Sequence, residues 1–338
     1  MIFYFLLLSS ATQVSMAESD TARSALISHW NRLGVPSLPP PFLLSKTSTL
    51  STSQTIYLTK LASNNSLSTI NFCAMANLTC SLKHPSTSPR DFFFGTYHSN
   101  YGIDRRFNPT SIRANMVRSG TFFRESQLRQ GNVMHFPHIR DKMPPRSFLP
   151  RAVVSKLPFS MSRLAVILDI FDTSKNSTMQ HEILKTLNDC ERYAGPGETK
   201  RCLATAEDMV DFAISVMGSS RLMVRTTKIN TNRRSSSPTV TIGSVKEMTG
   251  SRLTESSLSC HQLSYPYLLY YCHLFPNVRA YEVNIIDVAE SAVAICHEDT
   301  SAWSPMHASF TVLEHGPGKI EVCHWIYENE LVWTVSDY

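Results

Sequence analysis

The dipeptide Cys-His occurs four times near the C-terminal end of the chain, as Cys260-His261, Cys272-His273, Cys296-His297 and Cys323-His324. The gaps between the pairs are ten residues (262–271), then 22 (274–295), then 25 (298–322), and the pairs hold four of the 12 histidines. Composition alone does not produce that arrangement. Thiols pair as disulfides in an oxidising compartment, and imidazoles bind borderline transition metals. Two of the pairs lie in runs that read as strands, Leu268 to His273 and Ile320 to Trp325. Neighbouring side chains on a strand point to opposite faces, so the cysteines are expected on one side and the histidines on the other. A cysteine face supplies disulfides, though four cysteines allow three pairings. A histidine face presents His261, His273, His297 and His324 to one or two metal ions. All-imidazole ligation with an open position suits zinc or copper, and copper where the chemistry is redox. His307 is a further candidate ligand. The reading without chemistry is two disulfides and four histidines satisfied as core or surface groups.

The remaining motifs say what surrounds this constellation. Cys190 and Cys202 flank a Gly/Pro/Lys loop and Cys73 and Cys80 close a short one, so each pair reads as a local disulfide. Asn64, Asn77 and Asn176 stand in Asn-x-Ser/Thr sequons and are expected to carry glycans. The apolar run Met1 to Leu8 is too short to span a bilayer and is followed by small and polar residues up to Ser15-Met16-Ala17, the pattern of a signal peptide over residues 1–17. A secreted, disulfide-bearing protein with no membrane span in its mature chain is the expectation. No Gly-x-Ser-x-Gly elbow, Gly-x-Gly-x-x-Gly turn, phosphate loop, His-Glu-x-x-His or Cys-x-x-Cys is present. His181-Glu182 lacks the second histidine of the zinc-protease motif and is expected to face solvent.

These side chains need a scaffold to position them. The chain has 338 residues, 42% hydrophobic and 17% charged, enough for a sizeable core. Lys and Arg number 32 against 27 acidic residues, a formal +5, which favours a polyanionic neighbour. It does not indicate nucleic acid, because the densest basic stretch, Lys228 to Arg234, is interrupted by Asn and Thr and reads as a solvated loop. Residues 18–121 carry a proline cluster and a Ser/Thr-rich stretch, and read as a loosely structured leader with short helical pieces near Thr21 to Leu33 and Thr55 to Ala62. From Phe122 the apolar spacing predicts helices over Leu164 to Phe171, Met179 to Cys190 and Ala206 to Met217. Thr205 is an N-cap and Gly218 a stop for the last of these. The period then changes. Short β-branched or aromatic runs predict strands at Leu222 to Thr227, Thr239 to Val245, Leu268 to Leu274, Ala280 to Ile286, Ser291 to Ile295, Ser309 to Leu313, Ile320 to Ile326 and Leu331 to Val335. A helical first half and a strand-rich antiparallel second half make an α+β fold.

With these residues in view the chain resembles BURP-domain proteins, a secreted plant family. The resemblance covers about Phe122 to Trp333. It rests on Phe122-Phe123-Arg124-Glu125, Ser147-Phe148-Leu149-Pro150-Arg151, Gly197-Glu198-Thr199-Lys200-Arg201-Cys202, Met209-Val210-Asp211-Phe212-Ala213, Asp299-Thr300-Ser301-Ala302-Trp303 and the four Cys-His pairs. This assigns 122–338 to a C-terminal BURP domain. Ile139-Arg140-Asp141-Lys142-Met143-Pro144, Tyr267-Leu268-Leu269-Tyr270-Tyr271 and Pro317 to Trp325 are similar to the polygalacturonase non-catalytic beta subunit subfamily. The Phe-x-x-Tyr repeats of that subfamily are reduced here to Phe94-Gly95-Thr96-Tyr97 and Asn100-Tyr101-Gly102. The resemblance implies an apoplastic cell-wall protein that binds polygalacturonase and pectin and modulates pectin turnover and cell expansion without cleaving pectin. Other BURP proteins imply an alternative, a copper-dependent peptide cyclase. In that reading His261, His273, His297 and His324 hold copper, and a Tyr or Trp side chain of a core peptide is oxidatively linked to a neighbouring residue. Phe94 to Tyr101 and Gln54 to Tyr57 are the candidate internal substrates.

Overall fold

The structure, a computed structural model, describes residues 22–81, 120–141, 143–229, 239–248, 257–286 and 288–336. The expected signal peptide over residues 1–17 and the segment Phe94 to Tyr101 lie outside the described residues. Helices precede two antiparallel sheets, the α+β arrangement expected. The first sheet runs in the order β1 (Phe122–Phe123), β11 (Val322–Ile326), β10 (Ala289–His297), β9 (Val278–Ile285), β6 (Thr239–Glu247), β2 (Val133–His135), with β5 (Lys228–Ile229) also paired to β10. The second runs β3 (Thr199–Leu203), β8 (Leu269–Leu274), β7 (Leu258–Leu263), β12 (Leu331–Val335), β4 (Leu222–Arg225).

The helices follow their local signals. Helix α6 (Leu164–Ile170), α7 (Thr178–Glu191) and α8 (Ala206–Met217) stand where the apolar spacing predicted them. The Thr205 side chain accepts from the Asp208 N–H and Gly218 ends α8 in the left-handed region, at φ 64°. Among the described residues four helices lie in the leader: α1 over 22–32, α2 (Pro41–Ser45), α3 (Thr52–Ser63) and α4 (Phe72–Met75). They are packed into the domain. Leu26, Trp30 and Leu43 join the core formed by α8 and the outer face of the second sheet, and Trp30 lies 5.8 Å from Trp333. Leu58, Leu67 and Phe72 pack with α5 (Arg151–Val154), α6 and α7.

Three segments depart from the sequence expectations. Ser309 to Leu313 is not a strand but part of helix α9 (Ala308–Leu313). Its six residues are too few to reveal a period, and capping decides the outcome: His307 accepts from the Ser309 N–H and Glu314 closes the other end at φ 61°. Strand β7, Leu-Ser-Cys-His-Gln-Leu, is not among the expected strands, since its polar residues hide the pattern, yet every residue of it is buried and it is central in its sheet. Lys228, read as solvated loop, begins β5.

Candidate functional site

Register places the Cys-His pairs. On β7 and β8, Cys260 faces Cys272; on β10 and β11, Cys296 faces Cys323. Each pair is joined by a disulfide, and Cys73–Cys80 and Cys190–Cys202 are joined as well, so all eight cysteines are bridged. Alternation then separates the faces. Cys260 and Cys272 point into the core under α1, α2 and α8, and Cys296 and Cys323 into the core with Phe123 and Trp325. The histidines take the opposite faces, which look at each other between the sheets. There Val293, Ile295 and Ile326 of the first sheet pack against Val332 of the second.

The four imidazoles meet as two pairs. His261 Nε2 and His273 Nε2 are 3.3 Å apart, and His297 Nε2 and His324 Nε2 are 3.4 Å apart. The pairs adjoin across the sheets: the His261 and His324 ring centroids are separated by 6.1 Å, and the Phe275 ring stands between His273 and His297 at 5.2 and 5.7 Å. His261, His297 and His324 are buried and His273 nearly so. Burial holds His324 down to about 4, against the pull of Glu330 and the Trp325 carbonyl. Burial, with the neighbouring imidazoles, drives His297 well below the ordinary value. His273 is lowered too, burial outweighing the attraction of Glu198. These three rings are neutral at neutral pH and keep a lone pair.

Two carboxylates back the first pair. Glu330 Oε1 lies 2.7 Å from His261 Nδ1, and its other oxygen accepts from the Tyr327 N–H at 2.9 Å. Glu198 Oε1 lies 3.3 Å from His273 Nδ1, within ion-pair range. Glu198 also takes both arms of Arg192 at 2.9 Å, the Gly195 N–H at 2.7 Å and the Tyr271 hydroxyl. Burial alone would raise the Glu198 pKa; His273, Arg192 and Tyr271 together hold it well below the usual carboxylate range. The second pair has other neighbours: His324 Nδ1 is 3.3 Å from the Trp325 carbonyl, and the Trp303 ring stands edge-on at 5.0 Å from His297. Neither Glu198 nor Glu330 was singled out as a site residue from sequence. Nothing local marks them, since the contacts to His261 and His273 span 69 and 75 positions.

The donor set fits a metal in part. Two nitrogens bound at ~2.1 Å with a tetrahedral angle stand about 3.4 Å apart, the spacing seen in each pair. A carboxylate behind the outer nitrogen is the usual support for a metal-binding histidine. Among the described residues, however, no group of three or more His, Cys, Asp or Glu converges as it stands closely enough to hold an ion. The residues fit two-imidazole grips more readily than one four-nitrogen cage. His307, the further candidate, caps α9 and packs against Trp303 at 4.6 Å. His181 is exposed on α7. The sequon residues Asn64, Asn77 and Asn176 are all exposed. Among the described residues no helix is long and apolar enough to cross a membrane.

Two antiparallel sheets meeting across buried imidazole pairs, each with a cross-strand disulfide behind it, define a disulfide-bonded α+β protein with a histidine site at its centre. Residues 121–335 match the BURP domain, and the chain belongs to that family. It is 50% identical over 226 residues to the Polygalacturonase-1 non-catalytic subunit beta of Solanum lycopersicum, covering 65% of this chain and 35% of that protein. To the Polygalacturonase 1 beta-like protein 3 of Arabidopsis thaliana it is 49% identical over the same length. The BURP domain-containing protein 16 of Oryza sativa subsp. japonica is 35% identical over 333 residues, 96% of this chain and 92% of that one. The chain thus spans about a third of the length of the polygalacturonase-named relatives.

Proposed function

We propose that the chain is a secreted cell-wall protein of the apoplast that acts as a non-catalytic, beta-subunit-like partner of polygalacturonase and modulates pectin turnover and cell expansion. The observation that carries this reading is the 50% identity over 226 residues to a protein named as that subunit. The full set of disulfides and the three exposed sequons support an oxidising, glycosylating export route. The formal +5 supports retention near polyanionic pectin. The test is co-sedimentation of the secreted protein with pectin at graded salt, together with capture of polygalacturonase from solution. Affinity for neither partner overturns the reading. A mobility shift on glycan removal, abolished in Asn64→Gln/Asn77→Gln/Asn176→Gln, checks the export route.

The imidazole pairs favour a second reading, a copper-dependent peptide cyclase. His261 with His273 and His297 with His324 would hold the metal, and copper(II) bound there would supply the two one-electron oxidant equivalents that, with release of two protons, join a Tyr or Trp side chain to its neighbour. The chain's own part is to keep those rings paired and buried. Tyr57, in one of the two internal candidate segments, is 46% exposed on α3 and open to a partner. Loss of two hydrogens from a Tyr-containing peptide, dependent on copper and absent in a variant with the four histidines changed to Ala, is the expected result; an unaltered peptide mass removes this reading.

A further inference from the structure

Helix α3 ends in a tight cap, and a sequon sits on it. The Ser66 N–H bonds back to the Leu61 carbonyl at 2.9 Å and the Asn65 N–H to the Ala62 carbonyl at 3.1 Å, with Asn65 in the left-handed region at φ 53°. This double closure fixes the backbone at Asn64, the first residue of the sequon Asn64-Asn65-Ser66, whose side chain is exposed. The chain then returns to the fold: Leu67, 1% exposed, begins a short helical turn, Leu67–Thr69. Beside the cap a groove of about 290 Å³, open to solvent, runs between the leader and the domain. Leu67, Val166 and Ile170 give it apolar walls, and Asn65, Ser68 and Lys156 give it polar groups. Ala62, Asn65, Leu67 and Ser68, half of its eight lining residues, lie within four positions of Asn64. None of the lining residues adjoins Asn77 or Asn176 in the chain.

An N-linked glycan begins with an N-acetylglucosamine on the asparagine amide. A pyranose ring shows C–H groups on its faces and hydroxyl and acetamide groups around its edge. It therefore suits a small cleft with apolar walls and a few polar groups, and the groove has the dimensions of one such ring, not of an oligosaccharide. A free monosaccharide would gain little there against its lost translational freedom. A sugar attached at Asn64 has already lost most of that freedom and is held at high effective concentration beside the groove.

We propose that the glycan on Asn64 seats its first N-acetylglucosamine in this groove and staples α3 to α6. The inference rests on the export reading, in which the sequons are used, and gives Asn64 a part that Asn77 and Asn176 do not have. The sugar covers Val166, which is otherwise 36% exposed, and ties the end of a leader helix to the domain.

The test uses the full secreted chain as Asn77→Gln/Asn176→Gln, which leaves Asn64 as its one sequon. An endoglycosidase that cuts after the first sugar should leave the melting temperature unchanged, and a peptide N-glycosidase that removes every sugar should lower it by about 2–4 °C. Asn64→Gln should melt at the same lowered temperature, which separates the loss of the sugar from the aspartate the second enzyme leaves. Nuclear Overhauser contacts should join the acetamide methyl to the Leu67 and Val166 methyls. In Val166→Arg, which blocks the groove, the trimmed and sugar-free forms should melt together. Equal melting of those two forms with the groove intact, or no contact from the acetamide methyl, overturns the proposal. Glycans on Asn77 or Asn176 of the natural chain with Asn64 bare overturn it while the export reading stands, whereas three bare sequons remove both. If Val166→Arg does not fold, the methyl contacts decide.

Discussion

Replacing Trp30 by Ala tests whether the leader helices belong to the domain. The Trp30 side chain is fully buried on α1, stands 5.8 Å from Trp333, and donates its indole N–H to the Ser37 carbonyl. A buried Trp removes roughly 200 Å² from water, which at ~25 cal/mol per Å² amounts to about 5 kcal/mol of transfer. Ala keeps part of that burial. The hole left beside Met209 and Trp333 and the lost indole bond add to the cost, so the expected loss is about 3–5 kcal/mol. Equilibrium unfolding in urea at neutral pH, followed by circular dichroism, measures it as a lower midpoint at unchanged slope. A chain beginning at Thr121 should lose still more, because Trp333 and Met209 would meet water. A loss below about 1 kcal/mol for Trp30→Ala would show that α1 lies on the domain without being part of its core, and the argument from burial would be wrong.

Acid should destabilise the protein in part through His307, which burial lowers to about 4. The folded state binds its proton less readily than the unfolded chain at ~6.5. The contribution is therefore complete above the unfolded value and is lost as pH falls toward 4, about 2 kcal/mol of it by pH 5. His307→Asn keeps an N-cap acceptor and should lose that much less between pH 7 and 5; parallel slopes in urea titrations would refute the assignment. Cys296→Ala/Cys323→Ala opens a bridge between residues 27 apart and Cys73→Ala/Cys80→Ala one between residues 7 apart. Loop entropy puts the losses near about 3–4 and about 2 kcal/mol, in that order, and the reverse order in unfolding experiments would count against it. Arg192→Met leaves Glu198 buried without its guanidinium and should cost about 3–5 kcal/mol, whereas Arg146 is buried with no hydrogen-bond partner on any guanidinium nitrogen among the described residues. Burial lowers Arg146 to about 10, so Arg146→Met should be neutral or stabilising; a large loss would mean that its charge is compensated in the fold.

Local signals determined much of this protein. The spacing of apolar residues and the Thr205 and Gly218 caps sufficed for α8, because a helix is closed by contacts within four residues. The alternation rule sufficed to send the cysteines and histidines of each Cys-His pair to opposite faces, because a strand has a period of two. The repeated dipeptide marked His261, His273, His297 and His324 as one set before any fold was known. Tertiary structure decided the rest. Ser309 to Leu313 is helical because of its caps, and β7 is buried because strands lie on both sides of it, neither of which its own six residues encode. The pairing of Cys260 with Cys272 and of Cys296 with Cys323 followed from strand register. Glu198 reaches His273 from the start of β3, and Glu330 reaches His261 from the turn before β12. Such contacts join residues far apart in the chain, and they exist only because two sheets pack face to face with their histidine sides inward, where burial makes each proton's position matter.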